Sequence, residues 1–281
     1  MKNNNDYKSH IQRLYIISVV RDELIFKKNV ANLKDCNSVF VEYLIWHNQS
    51  EDKNIITPPA WYNLALQKYR TENTENAKAD WLVFIHDDVF FKSNLEQLAE
   101  KLYLFSDDGQ KVFGLLGAKS DNASRKWFGA CRHKKIVNSS DIYAPVIVDT
   151  VDSMCLFIRG DLICENSSLQ FDERFNLHLY IEDLCLFLKR LNIPVLVLPL
   201  VDYVHLSDGE VRFDYLYLQT ILSSKVRKED KRLGRIARQY WGTCGRIGAR
   251  IGEEWGVIAY LCDLLLSVFK CIRPRKFPNK R

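Results

Sequence analysis

The chain has 281 residues, 47% of them hydrophobic and 27% charged, with a formal net charge of +5. That much apolar content buries a substantial core, as one large domain or one domain with an appendage, and excludes a wholly disordered chain. The polar start MKNNNDYKSH and the lack of any uninterrupted run of 18 apolar residues argue against a secretory signal and a conventional transmembrane helix.

Residues 14–20 (LYIISVV) are β-branched and apolar, which predicts a buried strand. Residues 23–34 can form a helix, and 39–46 (VFVEYLIW) predict a second strand. Pro58-Pro59 reads as a break, followed by a helix over 61–70 with apolar residues at 61, 64, 65 and 69 and a polar loop over 71–78. Residues 81–85 (WLVFI) predict a third buried strand that ends abruptly in His86-Asp87-Asp88. An amphipathic helix is expected over 94–105, capped by Ser93 or Asn94. Short strands are expected over 112–117, 146–148 and 154–158, a helix over 182–191, and a strand over 195–198 after Pro194. This alternation implies an α/β domain with a largely parallel central sheet.

Eight cysteines stand at 36, 131, 155, 164, 185, 244, 262 and 271, none in a C-x-x-C pair. They read as reduced thiols of a cytosolic protein rather than as a zinc or thioredoxin-type site.

Ligands of such sheets bind outside the carboxyl ends of the strands. Asp87 and Asp88, two adjacent acids directly after an apolar strand, are costly to bury without a positive partner. A divalent cation shared with substrate phosphates meets that need, and a plain strand-end turn is the competing reading. Glu182 and Asp183 open the helix that follows His178-Leu179-Tyr180. They either complement the helix dipole or include a general base for an acceptor hydroxyl. His205 lies after a strand, near the two acidic clusters in the expected fold, and is a candidate further metal ligand.

The charge is split. From residue 225 to 281 there are 15 Lys/Arg against 5 Asp/Glu, a net of +10, which leaves −5 for residues 1–224. The apolar stretch 255–269 lies between basic residues, the pattern of an interfacial anchor on an anionic membrane surface. A helical pair packed on the catalytic domain, or in a homodimer, is the competing reading. Five glycines between 234 and 252 weaken any continuous helix there.

Together these pieces resemble the GT-A-type glycosyltransferases, similar to the family 2 enzymes and to the subgroup with an H-x-D-V pattern in place of the usual DxD. Here that segment is His86-Asp87-Asp88-Val89. Asn63-Leu64-Ala65-Leu66 resembles the family's Asn-led helix before that strand. Gly114-Leu115-Leu116-Gly117-Ala118 followed by Trp127-Phe128-Gly129 resembles its glycine pair and aromatic-Gly loop. Val151-Asp152-Ser153-Met154, His178-Leu179-Tyr180 with Asp183-Leu184-Cys185-Leu186, and His205-Leu206-Ser207 resemble its later motifs. The resemblance spans residues 12–210.

The resemblance implies a Rossmann-like mixed sheet flanked by helices over 11–212. A disordered N-terminus over 1–10 and a basic, amphipathic helical extension over 213–281 complete the expected organisation. It implies a sugar moved from a nucleotide-sugar donor to a hydroxyl of a glycan or lipid-linked acceptor, inverting and dependent on Mn2+ or Mg2+. Asp88 would hold the metal with His205 or Asp87, and Asp183 or Glu182 would be the base. Arg21, Asn63, Asp87 and Asp152 would face the donor, and Trp127 and His178 the acceptor. The setting would be bacterial-type surface polysaccharide or glycolipid synthesis, in the cytoplasm and peripheral on the inner face of the membrane.

This chain departs from the pattern in four places. His86 stands where Asp begins the DxD motif, His47-Asn48-Gln49-Ser50 lacks the acid of D-N-x-S, Ile181 stands where relatives have Asp, and the first strand ends in Val20-Arg21-Asp22-Glu23 where many relatives have Y-N-x-E. A non-catalytic sugar-nucleotide-binding relative and a nucleic-acid-binding protein using the basic tail are the alternatives. No helix-turn-helix or RNP-like motif supports the second, so no nucleic-acid partner is expected.

Overall fold

The computed structural model describes residues 13–30, 39–48, 56–72, 77–107, 109–121, 124–129, 143–176, 178–199, 201, 203–206, 218, 221, 222 and 225. The chain divides into two compact units, Met1–Gly209 and Glu210–Arg281. The N-terminal segment 1–10, the apolar stretch 255–269 and nearly all of the basic tail lie outside the described residues. No helix among the described residues is long and apolar enough to cross a membrane.

The first unit is mixed α/β. In chain order its elements are β1 (Arg13–Val20), α1 (Glu23–Val30), β2 (Phe40–His47), α2 (Pro58–Glu72), β3 (Asp80–Ile85) and β4 (Val89–Phe91). Then come α3 (Leu95–Phe105), β5 (Val112–Gly114), β6 (Leu116–Asp121), β7 (Ser124–Gly129), β8 (Val146–Val148) and β9 (Thr150–Val151). β10 (Cys155–Arg159), α4 (Gly160–Glu165), α5 (Tyr180–Arg190), β11 (Val195–Val197) and β12 (Tyr203–His205) complete it.

Seven strands form the central sheet, in the order β2-β1-β3-β10-β5-β11-β8. β1 runs parallel to β2 and β3, and β11 parallel to β5, whereas β10 is antiparallel to both its neighbours and β8 to β11. The sheet is therefore mixed rather than largely parallel. β10 begins at Cys155 opposite Ile85, so the chain enters it at the carboxyl end of β3 and runs back along it.

All six residues of β3 are buried because both sheet faces are covered. On one face Trp81, Val83 and Ile85 share a core with Leu14, Ile16 and the α3 residues Leu95, Leu98, Ala99 and Leu102. On the other, Phe84 meets Tyr62 of α2 at 5.0 Å between ring centroids, and Tyr15 meets Tyr69 at 5.0 Å. Asn94 caps α3 in a capping box with Gln97, which satisfies otherwise orphaned N–H groups. Pro58 and Pro59 open α2 instead of breaking the chain ahead of it. Proline fits the first helical turn, where its missing N–H has no intrahelical partner anyway.

The chain leaves the central sheet at Leu115 and forms a second, three-stranded sheet in the order β7-β6-β9. Glycine is required where β7 closes on that switch. Gly129 has φ 112°, and a Cβ there would stand 2.1 Å from the Leu115 carbonyl oxygen. Gly129→Ala is expected to destabilise by at least about 1–3 kcal/mol from backbone strain alone, read as a lowered denaturation midpoint.

An ion-pair network centred on buried Asp161 pins the start of α4 to the end of β10 and the residue before β5. Arg159 holds both oxygens of Asp161 at 2.8 Å, and Lys111 reaches Asp161 at 2.9 Å and Glu165 at 3.1 Å. Burial alone would push the Asp161 carboxyl up, but the two cations outweigh it and hold it below its ordinary value. Asp161→Asn leaves Arg159 buried without its carboxylate and is expected to cost about 3–5 kcal/mol near neutral pH. With a depressed folded pKa, this stabilisation is complete above the unfolded value of about 4 and is lost as pH falls through the folded value. The gap between wild type and Asp161→Asn, measured by denaturant unfolding, should therefore narrow below about pH 4.

Candidate functional site

The candidate site is built at the carboxyl ends of β1 and β3. Apolar β3 stops at Ile85, and His86–Val89 make a turn closed by the Val89 N–H on the His86 carbonyl at 3.3 Å. The start of β10 fixes the entry to that turn, with the His86 N–H donating to the Met154 carbonyl at 3.0 Å. The exit is fixed by β12, which pairs antiparallel with β4 so that His205 lies opposite Val89. The Leu206 N–H adds a bond to the Asp88 carbonyl at 3.0 Å. Residues 117 positions apart in sequence are thereby brought side by side.

His205 Nε2 stands 3.4 Å from Asp88 Oδ1, and His86 Nδ1 stands 4.0 Å from the same oxygen. The ligating atoms of His86, Asp88 and His205 all lie within 4.8 Å of one another, close enough to hold a metal ion. Asp88 Oδ1 and His205 Nε2 are buried and make no hydrogen bond among the described residues. Buried polar atoms in that state invite a ligand. Burial alone would push the Asp88 carboxyl up. Its contact with His205, helped by His86 and Arg21, outweighs that and holds it below the usual carboxylate value. Burial pushes His86 down to about 4, which keeps its imidazole neutral at neutral pH. One carboxylate and two imidazoles fit a divalent ion, the carboxylate suiting Mn2+ or Mg2+ and the imidazoles favouring a transition ion over oxygen-seeking Mg2+.

Asp87 is turned away from this group. Its carboxylate accepts from the Arg21 backbone N–H at 2.8 Å, the Arg21 guanidinium at 2.9 Å and the Asp22 N–H at 3.3 Å. Asp87 is 4% exposed while Arg21 is 63% exposed, so the acid is a buried anchor for an arginine that reaches solvent at the strand ends.

The Asp152 carboxylate accepts from the Met154 N–H at 3.2 Å and acts electrostatically on His86. Asn63 uses its amide on the Phe171 backbone at 2.8 and 2.9 Å and on Glu173 at 3.0 Å, so it ties α2 to the segment leading into α5. Trp127 lies on β7 opposite Ala118 and packs on the core. His178 is half-buried just ahead of α5. Glu182 and Asp183 occupy the first turn of α5, 6% and 4% exposed.

Two residues that sequence reasoning did not assign join the group. His86 is one, and Tyr180 is the other, its hydroxyl 2.7 Å from His86 Nε2. Tyr180 begins α5 directly after Leu179, a buried non-glycine residue held at φ 66°. Such left-handed backbone is strained and persists only where packing over-determines it.

No family model and no curated protein matches the chain. Among solved structures it is similar to A197 from STIV, at 15% identity and a TM-score of 0.40, covering 70% of this chain and 87% of that one. It is also similar to GalNAc-T7 with UDP, GalNAc and Mn2+, at 8% identity and a TM-score of 0.49. That likeness covers 92% of this chain, which spans 58% of the GalNAc-T7 chain.

Proposed function

We propose that the chain is a metal-dependent GT-A-type glycosyltransferase that moves a sugar from a nucleotide-sugar donor to an acceptor hydroxyl. The observation that carries this reading is the His86, Asp88 and His205 group at the carboxyl edge of the mixed sheet, beside Arg21. A divalent ion held there supplies positive charge for the departing nucleoside diphosphate.

The chain's own residues do the rest. Arg21, anchored by Asp87, offers a fixed cation to the diphosphate, with Asp152 and Asn63 on the donor side. Trp127 and His178 line the acceptor side. Asp183, or else Glu182, takes the proton of the acceptor hydroxyl. The freed oxygen bonds to the anomeric carbon as the bond from that carbon to the diphosphate oxygen breaks, a single inverting displacement.

The acceptor is a glycan or a lipid-linked sugar in surface polysaccharide or glycolipid synthesis. The basic region 213–281 would bring the enzyme to an anionic membrane surface where such acceptors lie. The test is a panel of nucleotide sugars incubated with the protein and Mn2+ or Mg2+. Metal-dependent release of nucleoside diphosphate from one donor supports the reading. No binding and no slow hydrolysis across the panel refutes it.

A further inference from the structure

We propose that His86 is a third metal ligand through Nδ1, and that Tyr180 is the positioning residue that presents it. The inference rests on the metal-binding part of the reading above and on no other part of it.

A neutral imidazole carries one N–H and one lone pair, and only the lone pair can bind a metal. His86 Nε2 meets the Tyr180 hydroxyl at 2.7 Å, a hydrogen-bond distance. His86 Nδ1 faces Asp88 Oδ1 at 4.0 Å, too far for a hydrogen bond. When Nε2 holds the proton and donates to the Tyr180 oxygen, the Nδ1 lone pair faces Asp88 and His205. Ligating histidines in general give their other N–H to a fixed oxygen in this way.

The separations of Asp88 from both histidines agree with one shared ion. Two atoms that each reach an ion at about 2.0–2.2 Å stand no more than about 4.4 Å apart. Asp88 Oδ1 lies inside that limit from both histidines, at 3.4 and 4.0 Å.

Tyr180 is built to hold still. It is fully buried, with its ring 5.8 Å from Tyr62 and 6.1 Å from Phe171. It is also the first residue of α5, fixed by the left-handed backbone at Leu179. A tyrosine so confined fixes the ring plane of His86 and, as acceptor from Nε2–H, leaves the Nδ1 lone pair free for a metal. His86 therefore supplies a nitrogen where the usual motif supplies an oxygen.

The test uses the full chain and Mn2+ alone, without nucleotide. Mn2+ affinity is read by electron paramagnetic resonance titration, and the His86 tautomer by 15N NMR of histidine-labelled protein. Tyr180→Phe should bind Mn2+ about 10- to 100-fold more weakly, the usual loss when a ligand's supporting partner is removed. His86→Ala should lose at least as much. Tyr15→Phe, which removes a buried β1 hydroxyl that accepts from Arg13 instead, should leave Mn2+ affinity unchanged. Wild-type His86 should carry its proton on Nε2, a readout that holds even where Tyr180→Phe fails to fold.

Wild-type affinity in Tyr180→Phe, an equal loss in Tyr15→Phe, a proton on Nδ1, or a wild-type protein that ignores Mn2+ would each overturn the inference. Mn2+ binding with these signatures but no nucleotide-sugar turnover would leave it standing and sink the transferase reading alone.

Discussion

Asp88→Ala is expected to lose tight Mn2+ binding and to lower turnover by about 10²–10³-fold, the loss seen when one preorganised stabiliser of transition-state charge is removed. Asp88 Oδ1 faces both histidines of the group, so its removal takes away the only carboxylate among the three ligands. The fold should persist. The bond from the Leu206 N–H runs to the Asp88 backbone carbonyl, which alanine keeps. The turn is also held by Met154 and by the pairing of β12 with β4. Steady-state rates with titrated metal, alongside melting temperature, separate loss of the site from loss of the fold. A mutant with wild-type turnover and wild-type metal dependence would take the metal off Asp88.

Asp183→Asn is expected to lower transfer by about 10²–10⁴-fold, the usual contribution of a positioned general base, while donor binding stays intact. Glu182→Gln should cost less. Both acids lie in the first turn of α5 and both are buried, so exposure does not rank them. Side-by-side measurement of donor affinity and transfer rate does. The reverse order would move the base to Glu182. Full activity in both variants would leave the pair with the structural task of complementing the α5 dipole, and would move the general base to another residue.

The strand β3 was legible because an apolar run that ends on two acids has few other readings. The start of α3 was legible to within one residue, since Ser93 and Asn94 are both good caps; Asn94 is the cap, in a capping box with Gln97. β7 escaped notice: SRKWFG carries no run of alternating apolar residues, and the strand exists because it pairs with β6. The partner of Asp87 was hidden for a different reason. Arg21 lies 66 positions away, and no hydrophobic period encodes that meeting. Tyr180 is 94 positions from His86, and the pattern that predicted its helix says nothing about where the hydroxyl points. His86 itself was read as a substitute in a motif of aspartates, when its burial beside Asp88 and His205 makes it a candidate ligand in its own right.

The central claim is that metal and nucleoside diphosphate meet at one site, and calorimetric titration tests it most directly. Each common nucleoside diphosphate is titrated into the protein with and without Mn2+. The account predicts one diphosphate whose affinity rises at least about tenfold with Mn2+, a coupling of about 1.4 kcal/mol, with the same gain for Mn2+ when that diphosphate is present. Equal affinities with and without Mn2+ for every diphosphate, or no binding of any, would contradict it.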